Sequence, residues 1–300
     1  MLKIAYHPIY QHNLPDGHRF PMEKYDLLPQ QLIHEGTCDK ENFFEPEIPN
    51  NKYFFMVHDP DYVSDLMNIT LNQKAARKIG FPLSEDLISR EMMIADGTIK
   101  ASEFALKYGI AMNIAGGTHH AFPSRGEAFC LLNDQAIGAQ HLLDKGYAKK
   151  ILILDLDVHQ GNGTASIFKN NKDVFTCSVH GAKNYPFRKE VSDYDVSMED
   201  NCSDSVYIEE IQSLLHKLYD KIVPDFIFYL CGVDILESDK LGRLGMSITG
   251  CKKRDELVLS FCKEKGIPVQ CSMGGGYSKD LRVIIEAHAN TFRVAKTLFT

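Results

Sequence analysis

Short apolar runs alternate with amphipathic stretches along this chain. Runs rich in branched and aromatic residues at 2–6, 53–58, 110–115, 151–156, 174–179, 226–230 and 269–273 predict strands. Between several of them, apolar positions recur at three- and four-residue spacing, at 133–145, 206–219, 252–265 and 281–298. These predict helices with one buried face. Strands that alternate with helices need crossover connections, so the expectation is an α/β fold with a central, mainly parallel sheet. Residues 151–154 are apolar at every position, the pattern of a strand covered on both faces. No internal repeat, low-complexity tract or Pro/Gly/Ser linker separates two halves, and one domain over 1–300 is expected. The segment 11–49 is rich in Pro, Asn, His and charge and helical only near 22–33, which predicts loops over one rim of the sheet.

The polar residues fall at one place on that skeleton. The run at 110–115 leads into Gly116, Gly117, Thr118, His119 and His120, and that at 151–154 into Asp155, Asp157 and His159. The remaining three lead into Ser178 and His180, into Gly232 and Asp234, and into Gly274, Gly275, Gly276 and Tyr277. Five strands thus deliver polar groups at their carboxyl ends, the edge where ligands bind in open α/β sheets. Singly these residues say little. A strand-end Asp such as Asp234 usually caps a helix or ties a turn, a His pair is more often structural, and Tyr277 would pass for a core residue. Asp157 and His159 are the most specific pair: two apart on an extended chain, they project to one side and offer an oxygen and a nitrogen ligand. No Lys-Ser/Thr follows the three glycines, which excludes a nucleotide-binding P-loop.

Composition narrows the class. With 44% hydrophobic and 24% charged residues, neither disorder nor a membrane protein is indicated. No apolar run approaches a membrane span, and the first residues lack the apolar core of a secretory signal. A net charge of −7 argues against nonspecific nucleic-acid binding. The eight cysteines include no C-x-x-C pair and several lie in apolar runs, which suits a reduced, cytoplasmic protein and speaks against a thiolate zinc site.

At Gly116-Gly117-Thr118-His119-His120-Ala121, Arg125-Gly126-Glu127-Ala128-Phe129-Cys130-Leu131-Leu132-Asn133-Asp134, Asp155-Leu156-Asp157-Val158-His159-Gln160-Gly161-Asn162-Gly163, Gly232-Val233-Asp234 and Gly274-Gly275-Gly276-Tyr277, the chain resembles the histone deacetylase superfamily. The motifs run in the family's order across most of the sequence. The His159–Gly163 version, the short length and the opening at 14–22 are most similar to bacterial members related to class IV deacetylases. The resemblance implies an arginase-like, three-layer αβα fold and hydrolysis of the amide of an Nε-acyl-lysine. It implies zinc, or iron(II), on Asp157, His159 and Asp234, and a structural potassium ion near Asp155, Asp157, His159 and Ser178. Phe129 and Tyr185 would form the walls of a substrate tunnel with Gly275 and Gly276, and Arg19 would match a basic residue of an internal acetate channel. The partner would be an acylated lysine peptide or a small acylated amine, with no nucleic acid and no membrane. Two positions depart from the family pattern: Ala128 stands where Gly is usual, and Asn162 where a second Asp often follows. No residue matches the rim aspartate that grips substrate backbone in better-known relatives.

If His119 meets Asp155 and His120 meets the neutral amide of Asn162, His119 favours its imidazolium form and His120 stays neutral. His120 is then the general base and afterwards the acid toward the leaving amine. His119 is an electrostatic partner, and Tyr277 donates to the oxyanion. Arginase-like enzymes with two manganese ions need carboxylates that 155–159 and 232–234 lack. An acetylpolyamine amidohydrolase shares the single-metal chemistry but needs an acidic, constricted mouth. A non-catalytic acyl-lysine-binding scaffold would have lost a ligand, a base or the tyrosine, and all are present.

Overall fold

The structure is a computed structural model that describes residues 1–299. Among the described residues, the strands are β1 (Lys3–Ala5), β2 (Phe43–Phe44), β3 (Ile110–Asn113), β4 (Ile151–Asp155), β5 (Val174–Gly181), β6 (Tyr194–Met198), β7 (Phe226–Leu230) and β8 (Val269–Ser272). The helices are α1 (Lys24–His34), α2 (Pro60–Met67), α3 (Gln73–Ile79), α4 (Glu85–Tyr108), α5 (Asp134–Asp144), α6 (Asn162–Phe168), α7 (Asp204–Ile222), α8 (Ile248–Lys265) and α9 (Leu281–Phe299). The strands form one wholly parallel sheet in the order β2-β1-β3-β8-β7-β4-β5-β6.

The uninterrupted apolar run of β4 is explained by what covers it. Ile151 and Ile153 pack with Ala101 and Ala105 of α4 and with Ala136, Ala139 and Leu142 of α5. Leu152 and Leu154 point the other way, into the cluster that holds Leu214 of α7, Val258 of α8 and Phe292 of α9. Alternate side chains therefore serve opposite helical layers, as expected for an αβα sandwich. Each such side chain contributes about 1.5–3 kcal/mol on leaving water.

One expected strand is absent and the longest helix is unpredicted, each for a definite reason. The run at 53–58 is no strand: Asn51–Met56 form a 3-10 turn, begun by the Asn50 side chain accepting from Lys52 N. Phe54 is buried while Phe55 is exposed, so the run anchors through one ring and lies outside the sheet. A short apolar run has no periodicity that separates these outcomes. The longest helix, α4, went unrecognised because its middle is buried almost all round and shows no polar face.

Strand register brings Asn113, Ser272, Leu230, Asp155 and Ser178 into one row across five strands at their carboxyl ends. The segments leaving that row are tied together by Arg254 of α8, which is fully buried. Its Nη1 donates to Gly232 O at 2.6 Å and Leu156 O at 3.3 Å, and Nη2 to Cys231 O at 3.2 Å. Nε donates to Asp255 Oδ1 at 2.9 Å, and the same carboxylate accepts from Tyr229 Oη and Thr291 Oγ1. Replacing Arg254 by Met leaves the buried Asp255 charge without its cation, held by Tyr229 and Thr291 alone, and takes the guanidinium from three carbonyls. The expected loss is about 3–5 kcal/mol of unfolding free energy. Urea denaturation with an unchanged midpoint would contradict this role.

Candidate active site

Beyond Asp155 the chain does not stay extended. Asp157 N donates to Asp155 Oδ1 at 3.1 Å and the backbone bends through 157–159, so the same-side projection expected of an extended strand is replaced by convergence. His159 N donates to Asp157 Oδ1 at 3.0 Å. His159 Nδ1 lies 3.1 Å from Asp157 Oδ1 and 3.2 Å from Asp234 Oδ2. Backbone donors hold both carboxylates: Gly275 N reaches Asp157 Oδ2 at 2.9 Å, and Val158 N reaches Asp234 Oδ1 at 3.0 Å. This close approach requires glycine. A Cβ on Gly275 would sit 2.0 Å from Asp234 Oδ2, and one on Gly232 2.4 Å from Asp157 Oδ2.

Asp157, His159 and Asp234 each offer a ligand atom within 4.8 Å of the others, and among the described residues no second such group occurs. Two carboxylates on one buried imidazole require positive charge between them. The requirement is visible in the protons. Burial opposes a charge on His159, yet its hydrogen bonds to Asp157 and Asp234 push its pKa up to about 10. Burial, with Asp157 alongside, pushes Asp234 up to about 7. An oxygen of Asp157 and a nitrogen of His159 at the wall of a cavity, with an oxygen of Asp234 buried behind them, are the donor set of an open divalent-cation site, so the residues fit such an ion.

The two histidines meet unlike partners. His119 Nδ1 donates to Asp155 Oδ2 at 2.6 Å, and His120 Nδ1 donates to Asn162 Oδ1 at 2.6 Å. Gly163 N also donates to Asn162 Oδ1, at 3.1 Å, which fixes the amide oxygen toward the ring. Burial works against a charge on His119, but Asp155 and Asp157 outweigh it and hold its pKa above the ordinary imidazole value. Burial, then His119 and His159, push His120 well below that value. With its Nδ1 proton engaged, neutral His120 has Nε2 free to accept. The loop carrying both rings hangs on Asp134 at the start of α5. Its Oδ1 accepts from Gly117 N and Thr118 N at 2.9 Å each, and its Oδ2 from Thr98 Oγ1 at 2.7 Å and Ser272 Oγ at 3.0 Å.

A cavity of about 560 Å³ opens onto these groups, lined by His119, His120, Asp157, His159, Phe129, Tyr185, Gly275 and Tyr277. The Tyr185 ring stands edge-on to His120 at 4.9 Å, and its hydroxyl donates to Glu127 Oε2 at 2.7 Å. Phe129 packs against Phe20 at 5.1 Å and Phe81 at 5.0 Å. Ala128 and Phe129 have φ of 44° and 69°, the left-handed region that glycine enters most easily. The strain is held by Ala128 N donating to Lys78 O and Phe129 N to Ile79 O. Tyr277 N donates to Asp239 Oδ2 at 2.6 Å, and burial, then Asp234 and Asp157, keep its phenol pKa well above the ordinary value. Gly276 stands behind this wall, where a Cβ would meet Val233 and Ile284. Ser178 pairs in register with Asp155, and its hydroxyl lies 3.0 Å from His180 Nδ1. The Arg19 guanidinium lies 4.9 Å over the Phe129 ring, while the buried arginine lining the cavity is Arg90.

Sequence patterning missed three of these residues. Asp134 left one trace, Asn133-Asp134 ahead of a helical pattern. Arg254 left none, being one cation in a run of basic residues. Lys24 lies in the short stretch expected to be helical near 22–33, where it is one charge beside Glu23 and Asp26 and nothing singles it out. It is 1% exposed, donates to Gly274 O at 3.2 Å and has its ammonium 5.5 Å from the Tyr277 ring centre. Burial lowers its pKa to about 8.

Residues 18–292 match the histone deacetylase domain family. An uncharacterized protein of Picosynechococcus is 42% identical over 296 residues, 99% of each chain. Histone deacetylase 2 of Arabidopsis thaliana is 28% identical over 92% of this chain and 74% of its own. The crystal structure of an HDAC homolog complexed with SAHA superposes with a TM-score of 0.85 at 25% identity, over 97% of this chain and 82% of that one. With the motifs in order and the sheet and helices matched, the chain belongs to the histone deacetylase domain family and is a hydrolase of the deacetylase kind.

Proposed function

We propose that this chain, as one domain over 1–300, is a metal-dependent amidohydrolase that cleaves an Nε-acyl-lysine, acetyl or longer fatty acyl, to the carboxylate and free lysine. One observation carries the reading: the Asp157, His159 and Asp234 donor set, two histidines with opposite protonation bias and Tyr277 meet at a single cavity. Asp157, His159 and Asp234 would hold zinc, with iron(II) the alternative occupant. When bound, such a cation polarises the amide carbonyl and acidifies water, an effect damped by two anionic ligands, so a base belonging to the chain is still needed. A structural potassium ion near Asp155, Asp157, His159 and Ser178 is supported by the register that sets Asp155 beside Ser178. Asn162 opposite His120 supports a class IV-like assignment, and eight buried free cysteines support a cytoplasmic setting.

His120 takes a proton from the attacking water at Nε2 and returns it to the leaving amine nitrogen. His119, kept cationic by Asp155, orients the water and favours the negative charge that develops. Tyr277 stays protonated and donates its hydroxyl hydrogen to the oxyanion. Phe129 and Tyr185 flank the lysine methylenes and exclude water. The substrate is an acylated lysine peptide or small acylated amine. A polyamine is disfavoured because Asp157 is the sole carboxylate among the described residues lining the cavity. A non-catalytic acyl-lysine-binding scaffold is disfavoured because ligands, base and phenol are all in place.

Acyl release from lysine peptides carrying acetyl through myristoyl groups, with and without chelator, tests the function; no chelator-sensitive release from any of them would end it. Tyr277→Phe is expected to keep cation affinity while turnover falls about 10²–10³-fold. His120→Ala should lower turnover by about 10²–10⁴-fold, and near-wild-type turnover with the cation bound would remove its role as base. Cation binding must displace the proton on His159, whose pKa is about 10. Zinc loading at pH 8 should therefore release about one proton per site, with affinity rising as pH approaches that pKa. Calorimetry in buffers of different protonation enthalpy reads this directly; a buffer-independent heat would contradict the shared proton.

A further inference from the structure

The mouth of the cavity is opposite in charge to the molecule. On a chain of net charge −7, Arg19, Lys78, Lys183, Lys240 and Arg243 all line the opening, while Asp157 is the one acidic lining residue among those described and lies deep in the site. These cations are available to solvent: the side chains of Lys78, Lys183 and Arg243 are 52%, 63% and 55% exposed. Neutralisation by neighbours is partial. Glu127 is 3.8 Å from Lys78, and Asp200 pairs with Arg243 at 2.6 Å and Lys183 at 3.6 Å. Among the described residues Arg19 and Lys240 join no ion pair. Asp239, next to Lys240, has its oxygens turned inward onto the N–H groups of Leu241, Gly242 and Tyr277. Phe187, 92% exposed on the same rim, adds an apolar perch outside the tunnel.

Resting on the deacylase reading, we infer that this opening selects acyl-lysine within an acidic peptide segment. Carboxylates flanking the lysine meet the five cations, and a side chain next to them covers Phe187. A flexible polycation is repelled by the same field, since like charges about a Debye length or less apart are incompletely screened. The exposed aromatic favours a peptide over a small anion, because only a chain that runs across the rim reaches it. The charges also take over an anchoring task for which the lining offers no rim carboxylate.

The test uses zinc-loaded full chain and matched acetyl-lysine peptides flanked by Glu, Ala or Lys, with an acetylated polyamine as a fourth substrate. kcat/KM should fall in the order Glu, Ala, Lys, by about tenfold from first to last at low salt, and converge at high salt. The double variant Lys183→Glu, Lys240→Glu leaves three cations against two carboxylates at the mouth and should collapse the Glu-over-Lys preference. Anisotropy of labelled peptides on the Tyr277→Phe protein, whose turnover is slowed, reads binding ahead of hydrolysis. Equal rates on Glu and Lys peptides, or a preference untouched by salt and by the double variant, would overturn the inference while leaving the deacylase reading intact; a polyamine turned over best would overturn the inference and the acyl-lysine substrate together. Charge-ordered binding with no release from any peptide would instead sink the deacylase reading and keep the rim.

Discussion

Asp157 and Asp234 present two carboxylates to one imidazole inside a buried pocket, and this end of the molecule is organised around that constraint. Like charges brought together out of water raise each other's proton affinity and oppose the fold unless donors or a cation compensate. Here backbone N–H groups of Val158 and Gly275 supply part of the compensation, and His159 the rest. Glycine at 232 and 275 lets backbone come close enough to donate. Arg254 works from beneath, gathering the carbonyls of Leu156, Cys231 and Gly232 so that the two ligand-bearing loops share one anchor.

Next to this centre a small difference in composition gives two adjacent side chains separate tasks. The rings of His119 and His120 lie 4.1 Å apart and are equally buried, so burial alone would treat them alike. Their Nδ1 partners do not: a carboxylate stabilises the charge on one, and a neutral amide leaves the other to the full penalty of desolvation. A base that must be neutral and a cation that must persist can then coexist at one site, held at fixed height by Asp134.

Charge in this structure is also sorted by depth. Acidic ligands lie at the carboxyl edge of the sheet, aromatic rings from Phe129, Phe20 and Tyr185 surround the approach, and cations stand where the cavity meets solvent. Each location suits the group. Buried carboxylates are tolerable only where partners converge, rings exclude water without requiring partners, and flexible cations act through solvent at the rim.

Much of this was legible in residue order. The two-sided apolar runs of β4 and β7 and the polar residues after five strands depend on neighbours along the chain, and they determined the parallel sheet and the edge at which chemistry occurs. The donor residues were legible too, because motif spacing survives in one dimension. What the chain order could not carry was anything made by distant segments meeting. The turn at 53–58 and the all-round burial of α4 depend on what packs against them. Lys24 reaches Gly274 across 250 positions, Arg254 reaches Leu156 across 98, and five cations scattered from Arg19 to Arg243 become one mouth only when loops assemble. Patterning records the faces an element must bury, whereas the field at a site sums over groups brought near by folding, and that sum exists only in three dimensions.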